Sequence, residues 1–319
     1  MVISYKMDNK EQKNKWRRNF AWFFMKASVS INGALPLGFN YFLGSVLGSL
    51  AYYLVVRHRR IALESLGIAF PEKSPGERKQ IARSFFVFMA QASFGLLYYL
   101  RHPERLNDVH IEGRKYLDEA LAKSKGVILV TAHIGSFPLL SLKLASQGYS
   151  VHFVTRPMRD PRAGDYLHEL RTNAGVKTIF SYPRRECVHD IIAALRSNEI
   201  VIMQMDQNFG SGGVWVKFFG ELAATPIGPI SLAMRTEAAI VPAYIYQEGK
   251  ARHCVKIFAE EQLRVFDDKD ETILHSAISL TRITEEWIRR HPCQWGWIHK
   301  RWKSRPSEKM KALKFKVEQ

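Results

Sequence analysis

VILVTAHIGSF, residues 127–137, decides the fold. Its first six residues are apolar or β-branched with no polar alternation, the pattern of a strand buried on both faces of a parallel sheet. The run stops at His133, just before a helix that the sequence predicts over Ser136–Gln147. A second run of the same kind, IVIMQM (200–205), stops at Asp206-Gln207-Asn208. Between them lie a strand at Ser150–Thr155, a helix at Arg159–Ala174, a strand at Lys177–Phe180 and a helix at His189–Ser197. Downstream follow a helix at Gly228–Thr236, strands at 240–247 and 253–259, and a long amphipathic helix at Thr272–His291. Strands alternating with helices predict an α/β domain whose mixed, largely parallel sheet is flanked by helices. No internal repeat or low-complexity linker interrupts it.

Upstream, Glu77–Leu100 reads as a helix carrying four phenylalanines, a stripe for a core or for the wall of an acyl groove. Further upstream no charged residue occurs between Lys26 and Arg57. The most apolar part, Ala34–Val56, is long enough to cross a bilayer. Pro36 and Gly38 interrupt it, and basic clusters flank both ends: Lys13, Lys15, Arg17 and Arg18 before, Arg57, Arg59 and Arg60 after. That pattern suits a helix or bent hairpin lying in a membrane interface, with Trp16, Trp22 and Tyr52 at headgroup depth. The apolar run starts too late for a cleaved signal peptide. The alternative is a buried core helix.

The 319 residues carry a net charge of +17, and most of it sits at the ends. Residues 1–60 hold ten Lys or Arg against two acids, and residues 299–319 eight against two. The body is close to neutral, unlike a nucleic-acid enzyme with a basic groove along its body. Three scattered cysteines, Cys187, Cys254 and Cys293, form no C-x-x-C pair, as suits a reducing compartment. No H-E-x-x-H metal motif, phosphate loop or G-x-G-x-x-G is present, so neither a metal nor a nucleotide cofactor is expected.

In an open α/β sheet the chemistry gathers at the carboxyl ends of strands. His133, Asp206 and Arg156 each stand at such an end. An imidazole can take the proton of a hydroxyl as it attacks a carbonyl, a carboxylate on the other ring nitrogen fixes the tautomer, and a guanidinium or backbone N–H groups hold an oxyanion or phosphate. G-x-S-x-G is missing, so direct transfer fits better than a covalent serine intermediate.

These residues resemble the bacterial lipid A late acyltransferases, within the wider glycerolipid acyltransferase superfamily. The likeness runs from Arg57 to Pro306 and rests on RRIALESLGIAFPEKSPGERKQIARSFF (59–86), GVILVTAHIGSF (126–137), TRP (155–157), DQN (206–208), GVWVKFFGELAATPIGPISLAMRTEAAIVPA (213–243) and EEWIRRHPCQWGWIHKRWKSRP (285–306). The resemblance implies an enzyme of the bacterial inner membrane, its catalytic domain in the cytoplasm, passing an acyl chain from acyl-carrier protein or acyl-CoA to a hydroxyl of a lipid-linked sugar or similar lipid. It implies no cofactor beyond that co-substrate. The family's histidine falls on His133, its Arg-Pro on Arg156, its Asp-Gln on Asp206 and Gln207. Its FFG…TP.GP loop falls on Phe218–Pro229, which places Glu221 and Thr225 beside a substrate. The implied division is a membrane-associating segment (1–60), an acyltransferase domain (61–306) and a basic tail (307–319).

One position departs from the family, whose motif is His, four residues, then Asp or Glu; here Pro138 takes the acid's place. Proline is comfortable in the first turn of a helix but cannot orient an imidazole. Three explanations stand: an acid from elsewhere, Asp206 before Glu221; a histidine working without one; or a lipid-binding homologue with impaired catalysis. A glycerolipid or amino-lipid acceptor is a further alternative. The cluster Trp295, Trp297, His299, Arg301, Trp302 and Arg305 reads either as a lipid-interface anchor or, through its arginines, as a site for a phosphate or a carrier-protein helix. Lys309–Lys316 reads as a solvated or headgroup-bound tail.

Overall fold

The computed structural model describes residues 9–306 apart from 159 and 250. Residues 1–8 of the N-terminal segment, the tail 307–319 and Arg159 lie outside the described residues. In chain order come four helices, α1 (Asn9–Ala34), α2 (Leu37–Leu54), α3 (Val56–Ala69) and α4 (Pro75–Arg101). The α/β part follows: β1 (His110–Glu112), α5 (Arg114–Ala122), β2 (Val127–Thr131), α6 (Phe137–Ser146), β3 (Val151–Thr155), α7 (Pro161–Asn173), β4 (Val176–Phe180), α8 (Arg184–Arg196) and β5 (Ile200–Gln204). It closes with β6 (Val214–Phe218), β7 (Glu221–Thr225), α9 (Gly228–Thr236), β8 (Ala239–Glu248), β9 (Arg252–Ile257) and α10 (Lys269–Arg290).

Seven strands form one sheet in the order β1-β9-β8-β2-β5-β3-β4. Every pairing is parallel except β8 with β9, so the mixed, largely parallel sheet expected from the sequence is the one observed. β2 and β5 pair residue for residue from Val127↔Ile200 to Thr131↔Gln204. The segments that leave their carboxyl ends therefore emerge side by side. β2 is buried along its whole length, as its unalternating sequence required. Leu129 faces one core layer with Leu139, Leu142 and Val241, while Ile128 and Val130 face another with Ile191, Leu195 and Ile240. A third, aromatic layer joins the C-terminal segment to α3, α4 and the β6–β7 hairpin.

The apolar stretch 34–56 is not one straight span. Pro36 separates α1 from α2, and α2 meets α3 at a bend of 88° around Val55. α2 is clamped to α4 through Gly44 and Gly48: a Cβ on Gly48 would come within 2.6 Å of the Phe86 carbonyl and of Val87 Cα. Tyr52 is buried against Phe86, which corrects its expected place at headgroup depth. Trp22 is half-buried on Tyr166 of α7, and Trp16 is exposed. α4, capped by Ser74 and Glu77 with Pro75 at its start, is long and apolar enough to cross a membrane. The segment around Phe218–Pro229, read as a loop, is an antiparallel hairpin, β6–β7, followed by the start of α9.

Candidate active site

His133 stands two residues beyond β2, in a turn that depends on Gly135. That residue has φ +62°, and a Cβ there would sit 1.8 Å from the Ile245 carbonyl oxygen, so both conformation and space require glycine. α6 then begins at Phe137 with Pro138 in its first turn. Asp206 lies two residues beyond β5, beside it.

The two side chains meet. His133 Nδ1 lies 2.8 Å from Asp206 Oδ1, and the His133 backbone N–H donates to Asp206 Oδ2 at 2.8 Å. The Trp295 indole N–H donates to the same Oδ2 at 2.7 Å. Burial alone would raise the Asp206 carboxyl, but the imidazole charge and these hydrogen bonds hold it well below the usual carboxylate range. Burial alone would lower the His133 imidazole; the Asp206 charge and hydrogen bond outweigh it and leave its pKa above the ordinary value. With Nδ1 committed, Nε2 has no hydrogen-bond partner among the described residues.

His133 forms part of the wall of a cavity of about 940 Å³, at the upper end of the range for small-molecule sites. Leu96 and Leu100 of α4 and Phe137, Pro138 and Leu142 of α6 line one side; Val188 and Ile191 of α8 and Leu232 of α9 line the other. The cavity thus touches core layers on both faces of the sheet at its carboxyl edge. Three cations, Arg156, Arg171 and Arg184, and the amide of Gln207 complete the wall. A smaller groove nearby holds Arg185, His189, Arg196 and Arg235, and Val188 lines both spaces.

The remaining residues singled out from the sequence fall elsewhere. Glu221, the second-choice acid, is exposed beside the hairpin turn and outside the cavity lining; Asp206, the first choice, occupies the place at His133 Nδ1. Thr225 is fully buried and its hydroxyl accepts from Arg301 Nη2. Arg301 is 1% exposed and also donates to the Ala224 carbonyl, so it ties the hairpin to the C-terminal segment instead of facing a substrate. Arg305 is exposed, outside the cavity lining. Trp295, Trp297 and Trp302 are 1%, 0% and 5% exposed, packed among Phe218, Phe219 and Phe70. That corrects their reading as an interface anchor: an aromatic and cationic run looks the same in sequence whether it faces lipid or a core. Arg171, Arg184 and Asn208 line the site without having been singled out for it. Only their positions near predicted strand and helix ends could have marked the two arginines.

The profile of the bacterial lipid A biosynthesis acyltransferases matches residues 8–304. The chain belongs to that family. It is an acyltransferase of the lipid A or a related type. Among its relatives is the lipid A biosynthesis lauroyltransferase of Escherichia coli, 26% identical over 85% of this chain and 88% of that protein. Another is the phosphatidylinositol mannoside acyltransferase of Mycobacterium tuberculosis, 24% identical over 63% of this chain and 62% of that protein. A crystal structure of the 1-acyl-sn-glycerophosphate acyltransferase PlsC from Thermotoga maritima superposes loosely, with a TM-score of 0.37 and 15% identity over 80% of this chain and 99% of that one.

Proposed function

We propose that this acyltransferase moves a fatty acyl chain from a thioester donor, acyl-carrier protein or acyl-CoA, to a hydroxyl of a lipid-linked sugar, with His133 as general base. The observation that carries this is the His133–Asp206 pair at the wall of a large, mostly apolar cavity. Nε2 of the neutral imidazole takes the acceptor's hydroxyl proton as the oxygen attacks the thioester carbonyl. The tetrahedral intermediate collapses, the C–S bond breaks, and the thiolate leaves with the proton that Nε2 had taken. The products are an ester and a free thiol, with no acyl-enzyme on the way. Asp206 holds the Nδ1 tautomer and offsets the imidazolium charge. Arg156 and Gln207 at the cavity wall are the side chains placed to receive the polar groups of the substrates.

Two relatives named for lipid A and for a phosphatidylinositol mannoside support a glycolipid acceptor. The cationic side chains in the cavity and in the groove beside it suit an anionic donor. Exposed Trp16, Phe20, Phe23 and Phe24 on α1, and Phe42, Leu50 and Leu54 on α2, support attachment to a membrane; thioester donors of the cytoplasm would meet the catalytic domain on the cytoplasmic side of the inner membrane. The alternative of a catalytically impaired homologue was motivated by Pro138; an acid on Nδ1 removes that motive.

Mass spectrometry of lipids from cells lacking the gene, complemented with wild type or with His133→Ala, tests the proposal. One lipid class gains an acyl chain with wild type and not with the variant. Equal acylation by His133→Ala would overturn the assignment of the base.

A further inference from the structure

In the family motif the acid sits five residues after the histidine, so one short segment carries both. Here base and acid leave different strands, 73 positions apart, and nothing local aligns them. Asp206 is 3% exposed, and its carboxylate is held by three N–H groups. Two belong to His133 itself and move with it. The third, the Trp295 indole N–H, does not.

Trp295 is an enclosed donor. Its ring is 1% exposed, 4.7 Å edge-on from Trp297 and 5.6 Å from Phe218. Its own backbone is laced to the turn that carries the base: Ile134 and Trp295 form an antiparallel bridge. Gly135 N donates to the Gln294 carbonyl at 2.9 Å, and Gly296 N donates to the His133 carbonyl at 3.0 Å. One short segment therefore fixes the backbone on both sides of the base and one oxygen of the acid.

The loading of the carboxylate is unequal. Oδ1 takes the imidazole alone, while Oδ2 takes the His133 amide and the indole. Loss of the indole N–H would free the carboxylate to rotate and would leave more negative charge for Oδ1. We infer that Trp295 is a positioning residue of the His133–Asp206 pair, doing from the C-terminal segment what a shared short segment does where the acid follows the histidine. It rests on the proposed role of His133 as base, but its own geometry can be read without turnover.

The test uses the full-length chain with Trp295→Phe and, should that variant fold poorly, benzothienylalanine at 295, which keeps the bicyclic shape and lacks the N–H. Imidazole resonances are titrated by ¹⁵N NMR, and kcat and KM are measured with the lipid that gains an acyl chain in the mass-spectrometric comparison of wild type and His133→Ala. Removal of the donor moves the His133 midpoint upward and lowers kcat about 10- to 100-fold, the size seen when a metal-ligating histidine or carboxylate loses its outer hydrogen-bonding partner, with KM unchanged. Trp297→Phe is the packing control: its indole donates to the Pro292 carbonyl, away from Asp206, and its His133 midpoint stays at the wild-type value. A Trp295→Phe protein with wild-type kcat and midpoint overturns the inference, as does an equal shift from Trp297→Phe. Retention of activity by His133→Ala would instead sink the base assignment and leave the NMR result to stand on its own.

Discussion

A histidine that takes a proton must first be neutral, and Asp206 works against that by favouring the imidazolium. The protonated form therefore persists above the ordinary histidine pKa of about 6.5, and kcat/KM should rise with pH through a midpoint above that value. Asp206→Asn removes the opposing charge and leaves burial, which pulls the other way, so its midpoint should fall below that of wild type. The rate should fall too, by up to about 10⁴-fold, as when the orienting Asp of a triad becomes Asn; pH–rate profiles of both proteins check the sign. Pro138→Glu should bring no gain in transfer, since Nδ1 already has its acid; a higher kcat would mean that Asp206 is not the working partner. Arg301 has a different task. Its guanidinium is buried and holds the Ala224 carbonyl and the Thr225 hydroxyl. Arg301→Met should cost about 2–4 kcal/mol of stability by leaving these groups unpaired, read as a lower thermal midpoint.

Among the elements, β2 and β5 were the most legible. Runs such as VILVTA and IVIMQM exclude amphipathic helices and exposed strands, and their carboxyl ends are where a parallel sheet places its chemistry. Less legible was α8, expected from His189 and observed from Arg184. The charged Arg184-Arg185-Glu186 hides its first turn, while Pro183 just ahead of it marks the boundary. The β6–β7 hairpin escaped because its turn, Phe219-Gly220, lacks the usual Asn-Gly or Asp-Gly signal. The contact between α2 and α4 depends on small residues four apart, Gly44 and Gly48, which let the backbones approach. Gly48→Val should separate the two helices at a cost of about 1–3 kcal/mol. Faster amide exchange in α2 and α4, with the sheet still protected, would record it.

Across the whole molecule, one surface stands apart from the rest. Trp16, Phe20, Phe23, Phe24 and Ile31 recur along one face of α1, all more than half exposed. Lys26 on α1 and Arg57, Arg59 and Arg60 at the start of α3 add positive charge to the N-terminal helices. α2 bends by 88° into α3 and does not run on straight, so the N-terminal helices suit a membrane interface. Phe20→Ser, Phe23→Ser and Phe24→Ser together should lower binding to vesicles containing anionic lipid at least tenfold, given about 1.5–3 kcal/mol for each fully buried phenylalanine. Raising the salt should weaken binding by wild type and triple variant alike, because the charges remain and are screened. Co-sedimentation measures both effects; undiminished binding by the triple variant would place the membrane contact elsewhere.

The sequence by itself determined the layered α/β fold, the strand ends that carry His133, Asp206 and Arg156, and the family. Each of these is written in contiguous residues: unbroken apolar runs, and blocks such as GVILVTAHIGSF (126–137) and EEWIRRHPCQWGWIHKRWKSRP (285–306). Only the tertiary structure decided that Asp206 reaches His133 Nδ1, that Trp295 reaches Asp206, and that the C-terminal tryptophans and Arg301 are buried. Those facts depend on strand order and on which face of the molecule the segment after α10 crosses. Residues far apart in sequence become neighbours through the pairing of β2 with β5 and the docking of that last segment, and composition cannot distinguish an aromatic run that meets lipid from one that meets the core.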